Sequence, residues 1–150
     1  MDYDLLNERS RRFAHALLEA FPDWGPYLRL ADAEDAKPGT LLVEVPAPPS
    51  GGSPMFIDTD CGEITVAFAD WHGHYGAWTW DDDEDECTRV ALEAVCAIVE
   101  ERLLSVMALD GEQWRRSWHV VPGEPVETRF GTLTRVRSWR GTYDADLARP

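Results

Sequence analysis

The chain has 150 residues, 44% of them hydrophobic and 11% aromatic, with a formal charge of −14 and a pI near 4.5. That length and apolar content suit one folded domain with a real core and exclude a disordered chain, which needs low hydrophobicity. The charge opposes nucleic acid and anionic lipid as partners and favours basic ones.

The charge is unevenly spread. Residues 1–110 hold 23 of the 28 acids and 7 of the 14 bases, so they carry about −16; residues 111–150 hold 7 Arg against 5 acids, about +2. The bases are 13 Arg and a single Lys, Lys37. Arg forks onto carboxylates, so part of this set is expected to tie the two halves together. The three cysteines, Cys61, Cys87 and Cys96, stand at no metal-ligand spacing and are odd in number, which argues against a disulfide framework. Cys96 lies in an apolar helical stretch and is expected to be buried. The N-terminus MDYDLLNERSRR lacks a basic region followed by an apolar run, and no apolar stretch reaches the roughly 18 residues of a membrane helix. The expectation is a cytoplasmic protein.

Residues 3–21 read as a helix, with Leu6, Phe13, Leu17 and Ala20 near helical spacing, Leu5 and Ala16 widening the stripe, and Pro22 as the stop. Tyr27 to Ala31 is a weak strand, and Thr40 to Val45 a better one after the turn pair Pro38-Gly39. PAPPSGGSP, residues 46–54, is a loop. Met55 to Thr59 and Gly62 to Asp70 are strands joined by a hairpin turn at Asp60-Cys61-Gly62, the second showing clean alternation of Ile64, Val66 and Phe68 with polar and small residues. Residues 84–108 read as the longest helix, its stripe running through Leu92, Val95, Cys96, Val99, Leu103 and Val106 to a stop at Asp110-Gly111. Glu112 to Val121 and Gly131 to Trp139 are strands, and Tyr143 to Pro150 is a fraying tail. The order implies a single α+β domain over residues 1–150: a mainly antiparallel sheet of about five to six strands, with two main helices packed on one face.

Three constellations can carry function. Asp70, His72 and His74 share strand parity if the strand from Gly62 runs on unbroken, which would make a two-His, one-carboxylate metal site, with His119 as a possible fourth ligand. The alternative is a polar strand end packed on aromatic neighbours. The acid run Asp81, Asp82, Asp83, Glu84, Asp85, Glu86 lacks the alternation and glycine of a calcium loop, but Trp78 and Trp80 precede it. Charge steers a basic partner and aromatic rings supply buried area, so these eight residues are the candidate partner-binding site. The alternative is a helix cap beside two core tryptophans. Trp114, Arg115, Arg116, Trp118 and His119, with Arg135, Arg137, Trp139 and Arg140, alternate as on a nucleic-acid platform, but the net charge favours internal pairing. No Gly-rich phosphate loop, Gly-x-Ser-x-Gly elbow or placed nucleophilic Cys is present, so no enzyme and no cofactor is expected.

The stretches ITVAFADWHGHYGAW and TRVRSWRGTYD resemble small bacterial proteins of the immunity type, encoded beside polymorphic toxins. The likeness spans residues 62–110 and 130–144 and rests on Trp71, His72, His74, Tyr75, Ser138, Trp139 and Gly141. It implies a protein that binds a cognate toxin and covers its active site without a cofactor, acidic where the target is a basic nuclease. The expected partner is therefore a basic protein, with neither nucleic acid nor membrane; the choice between monomer and homodimer stays open. The alternative is a small metal-dependent enzyme or metal-binding protein built on Asp70, His72 and His74.

Overall fold

A computed structural model describes residues 1–32, 36–76 and 83–149. The protein is α+β, with antiparallel sheets of five and four strands and two helices of more than two turns among the described residues. The chain divides into two compact units: residues 1–45, 55–66 and 73–95 form the first, and residues 46–54, 67–72 and 96–150 the second.

The first unit opens on a 3₁₀ turn, Tyr3–Leu5, and the helix α1, Glu8–Ala20. The expected helix over 3–21 is broken because Leu6 is extended and Asn7 caps α1, its side chain accepting from Ser10 N at 2.9 Å. A cap supplies an acceptor for a first-turn N–H that has no partner within the helix. Ser10, Phe13, Ala14 and Leu17, at i, i+3, i+4 and i+7, are fully buried on the inner face. Complete burial of Phe13 and Leu17 contributes about 2–3 kcal/mol each. Leu5, expected on the stripe, is exposed.

The five-stranded sheet has the order β1-β2-β3-β4-β5, from β1 (Leu28–Leu30), β2 (Leu41–Val45), β3 (Met55–Asp58), β4 (Glu63–Phe68) and β5 (Trp71–Gly76). Alternation sets its inner face: Leu41, Val43, Val45, Met55, Ile57, Ile64, Val66 and Phe68 are buried. Register agrees, with Val43 opposite Ile57 and Val45 opposite Met55. Helix α1 packs on β2. A buried polar bridge links them, because the Thr59 hydroxyl accepts from Leu41 N at 2.9 Å and shares a 2.6 Å hydrogen bond with Ser10 Oγ.

Helix α2, Glu84–Val99, is shorter than the expected 84–108. Its buried positions are Cys87, Thr88, Ala91, Val95 and Ile98, while Cys96 is only half-buried; Cys87 is the core thiol. The helix stops in a Schellman arrangement: Arg102 N donates to Ala97 O and Glu101 N to Ile98 O, with Glu101 in the left-handed region at φ 56.

The chain then enters β6, Leu104–Asp110, buried at every residue from Leu104 to Leu109. A short apolar run suits a central strand as well as a helix, and periodicity alone does not separate them. Here β7 (Gln113–Val120) and β8 (Leu133–Arg137) flank β6, and β9 (Ala145–Ala148) completes the order β7-β6-β8-β9. Gly111, at φ 61, takes the first position of the two-residue β6–β7 loop, where a II′ hairpin turn requires a positive φ. The tail expected to fray is ordered as β9, because Leu147 packs against Leu104, Val106, Val120 and Val136 and Asp146 pairs with Arg137 at 2.8 Å.

Candidate functional site

Of the candidate partner-binding residues, Trp78, Trp80, Asp81 and Asp82 lie outside the described residues. Asp83, Glu84, Asp85 and Glu86 form the entry to α2. Asp83 caps the helix, its Oδ1 accepting from Asp85 N at 3.0 Å and Glu86 N at 3.1 Å. The other three also favour the positive end of the helix dipole. Each meets an arginine: Glu84 lies 3.3 Å from Arg9, Asp85 2.6 Å from Arg12, and Glu86 2.6 Å from Arg89. The hydrogen bond from Arg89 holds the Glu86 carboxyl below its ordinary pKa. The pairs of Asp85 and Glu86 are solvated and contribute little stability, whereas that of Glu84 with Arg9 is half-buried. The Asp85 side chain remains 83% exposed while paired, so its carboxylate still presents free lone pairs to an incoming cation.

Beside this entry lies a cleft of about 290 Å³, lined among others by Glu8, Arg9, Lys37, Asp60, Cys61 and Glu84. Three carboxylates face two cations there. Arg9 Nε is buried and has no hydrogen-bond partner among the described residues. Cys61 sits in the left-handed region at φ 53 and hydrogen-bonds Asp60 Oδ2 through its thiol, at 3.3 Å. That bond and the negative charge of Asp60 raise the thiol pKa and keep it protonated, so the cleft has no activated nucleophile in this cysteine. Next to it, Asp58 has a raised pKa, chiefly from burial, with Asp60 and Glu63 adding to it.

The histidines are arranged differently from the expected continuous strand. The chain turns back after β4, where Ala69 takes a φ of 50, and β5 begins at Trp71. This break in parity leaves Ile64, Val66 and Phe68 buried while His72 and His74 are exposed. His74 Nδ1 lies 2.9 Å from Glu63 Oε1 and 3.3 Å from Thr65 Oγ1, and Asp70 falls in the turn. Among the described residues no three His, Cys, Asp or Glu side chains gather as metal ligands do. His119 instead meets Trp71 edge-on, with ring centroids 5.7 Å apart.

The Arg and Trp residues of the second unit split into two groups. Arg115 pairs with Asp110, Arg137 with Asp146 and Arg129 with Glu127. Trp139 is buried and tilts against Phe68 at 6.1 Å, whereas Trp114 is exposed. The loop after β8, Ser138 to Asp144, is held by Glu101, a residue that pattern reading had no means to single out. Burial alone would raise the Glu101 pKa. Hydrogen bonds from the Thr142 hydroxyl, Arg140 N–H (2.8 Å), the Ser138 hydroxyl and Thr142 N–H outweigh it and hold the carboxyl below its ordinary value. Asp144 accepts from Ser138 N at 2.7 Å on the far side of the loop. The Ser-Trp-x-Gly segment is thereby a tied corner of the fold.

Charge separates by unit. By sequence count the first unit holds 19 acids against 6 bases, formally −13, and the second 9 acids against 8 bases, formally −1. Among the described residues no helix is long and apolar enough to cross a membrane. No protein-family model, curated protein or solved structure matches the chain.

Proposed function

We propose that the protein is an acidic protein-binding module of the immunity type, which acts in the cytoplasm by binding and neutralising a cognate basic toxin. The observation that carries the reading is the concentration of charge, −13 of the −14, in one compact unit. A field of that sign speeds encounter with a basic surface and excludes phosphate-bearing partners. The contact surface is assigned to the start of α2, with Asp83, Glu84, Asp85 and Glu86, together with Trp78, Trp80, Asp81 and Asp82. The ion pairs of Asp85 and Glu86 at this helix start are exposed, and a partner Arg or Lys can exchange into them at small cost. No cofactor is required.

The test is a tagged pull-down from the source bacterium, eluted with a salt gradient, followed by kinetics with the triple variant Asp82→Asn, Asp83→Asn, Asp85→Asn. Asn caps a helix about as well as Asp, so the change at residue 83 removes charge while leaving the α2 cap in place. The expected result is a basic protein recovered in equal amount and an association rate at least ~10-fold slower for the variant at low salt. An unchanged rate and affinity for the recovered partner would place the contact elsewhere.

A further inference from the structure

We propose that β7 is a docking edge, whose open half takes an extended acidic segment of a partner protein as an added strand. This surface belongs to the near-neutral second unit, while the acidic contact assigned above belongs to the first. Among the described residues β7 ends the sheet order, so alternate backbone N–H and C=O groups along it face away from β6. Gln113, Trp114, Arg115 and Arg116 are exposed in succession. Trp114, at 62%, is the most exposed large hydrophobic side chain among the described residues. Edge protection needs charge and irregularity, not an indole; exposed Trp on a strand edge is what a contact anchor supplies.

Charge selects the occupant. The register passes from Ala108 opposite Arg116 to Leu109 opposite Trp114, so Arg115 is the extra residue of a β-bulge. A bulge re-aims the side chain of its extra residue. Arg116 and Arg129 both stand over the Phe130 ring, their guanidinium carbons 4.8 and 4.9 Å from its centroid. Arg115 and Arg129 have exposed carboxylate neighbours, Asp110 and Glu127; Arg116 has no ion-pair partner among the described residues. Planted on an aromatic face, its outward N–H fork is free to take a carboxylate bidentately. A second copy added edge to edge would set this arginine cluster against itself, and facing like charges destabilise a strand pair. An acidic strand reverses the sign of those contacts while satisfying the same backbone groups.

The experiment uses the ¹⁵N-labelled full chain and three synthetic seven-residue peptides with blocked ends: alternating Glu and Val, alternating Lys and Val, and the Glu peptide N-methylated at alternate residues. The expected result is binding of the Glu peptide, with shifted and slowly exchanging amides at residues 113–117. The Lys and N-methylated peptides should bind at least ~10-fold more weakly, and Arg116→Glu should lower affinity for the Glu peptide by a similar factor with an unchanged unfolding curve. Several outcomes would overturn the proposal. These are no binding at millimolar Glu peptide, shifts confined to other strands, equal binding by the N-methylated peptide, self-association through β7, or tighter binding of a single-stranded oligonucleotide.

Discussion

Replacing Glu101 with Gly sets two physical effects against each other. Glu101 holds the C′ position of α2 at φ 56, where glycine is the common occupant and an L side chain is disfavoured by about 1–2 kcal/mol. On backbone grounds alone Glu101→Gly stabilises. The carboxylate, however, is buried to 9% exposure and receives Arg140 N–H at 2.8 Å along with the Ser138 and Thr142 donors. Hydrogen bonds to a charged group are worth about 1.5–3 kcal/mol each. Losing two of them at the low end of that range already exceeds the backbone gain, so the expected net destabilisation is about 1–2 kcal/mol. For a chain of this size that lowers Tm by roughly 2–8 °C. Urea unfolding followed by circular dichroism measures the difference, and hydrogen exchange at the Arg140 amide localises it. The same carboxyl has a depressed pKa when folded, so its contribution is complete above the ordinary glutamate value of about 4.3 and is lost as pH falls through the lower folded value. Glu101→Gln should flatten that part of the acid limb. A Glu101→Gly protein as stable as the parent, with Arg140 still protected, would refute the reasoning.

Asp58 runs the opposite way in pH. Its folded pKa is raised by burial and by Asp60 and Glu63, so its charge disfavours folding at neutral pH. Asp58→Asn, which keeps the acceptor for Asp60 N, should stabilise at pH 7, with the gain shrinking as acid neutralises the parent's carboxyl; paired thermal melts at pH 7 and pH 4 check both signs. Thr59→Val leaves Leu41 N–H and the Ser10 hydroxyl without their partner and should cost about 2–4 kcal/mol, whereas Ser10→Ala, which leaves Thr59 still accepting from Leu41, should cost about 1. Denaturant titrations that rank the two in reverse order would dismiss the bridge. A Cβ on Gly52 would sit 2.1 Å from Trp139 O, while one on Gly123 meets nothing within 4 Å, although both residues have positive φ. Gly52→Ala should therefore cost at least ~3 kcal/mol and Gly123→Ala only the ~1–2 kcal/mol of the backbone conformation; equal losses in the same assay would contradict the clash.

Local chemistry is where reading and structure agree. Alternation in β4 identified Ile64, Val66 and Phe68 as one inner face, and the spacing of Phe13 and Leu17 identified the inner face of α1. Asp110-Gly111 marks a turn in both, though it closes a hairpin instead of a helix. Errors cluster where one local pattern serves two structures. The run from Leu103 to Leu109 is apolar except for Ser105, so it continues a helical stripe as readily as it forms a central strand; the Glu101 cap and the neighbours β7 and β8 decide for the strand. The His-x-His parity failed for a similar reason, since one left-handed residue at Ala69 reverses the chain and cancels any face inferred across it.

Sequence alone determined that the chain is α+β and strongly acidic, because alternation and helical spacing are local patterns and net charge is a sum over residues, and neither needs three-dimensional information. Tertiary structure alone decided which acids stay available, which arginines are tied and which tryptophan is exposed. Glu101 became a clamp on the Ser138–Asp144 loop through a partner 39 residues away in sequence, while Trp139 became core and Trp114 surface. Such pairings depend on strand order and on loops closing over long separations, and the sequence local to each residue carries no record of them.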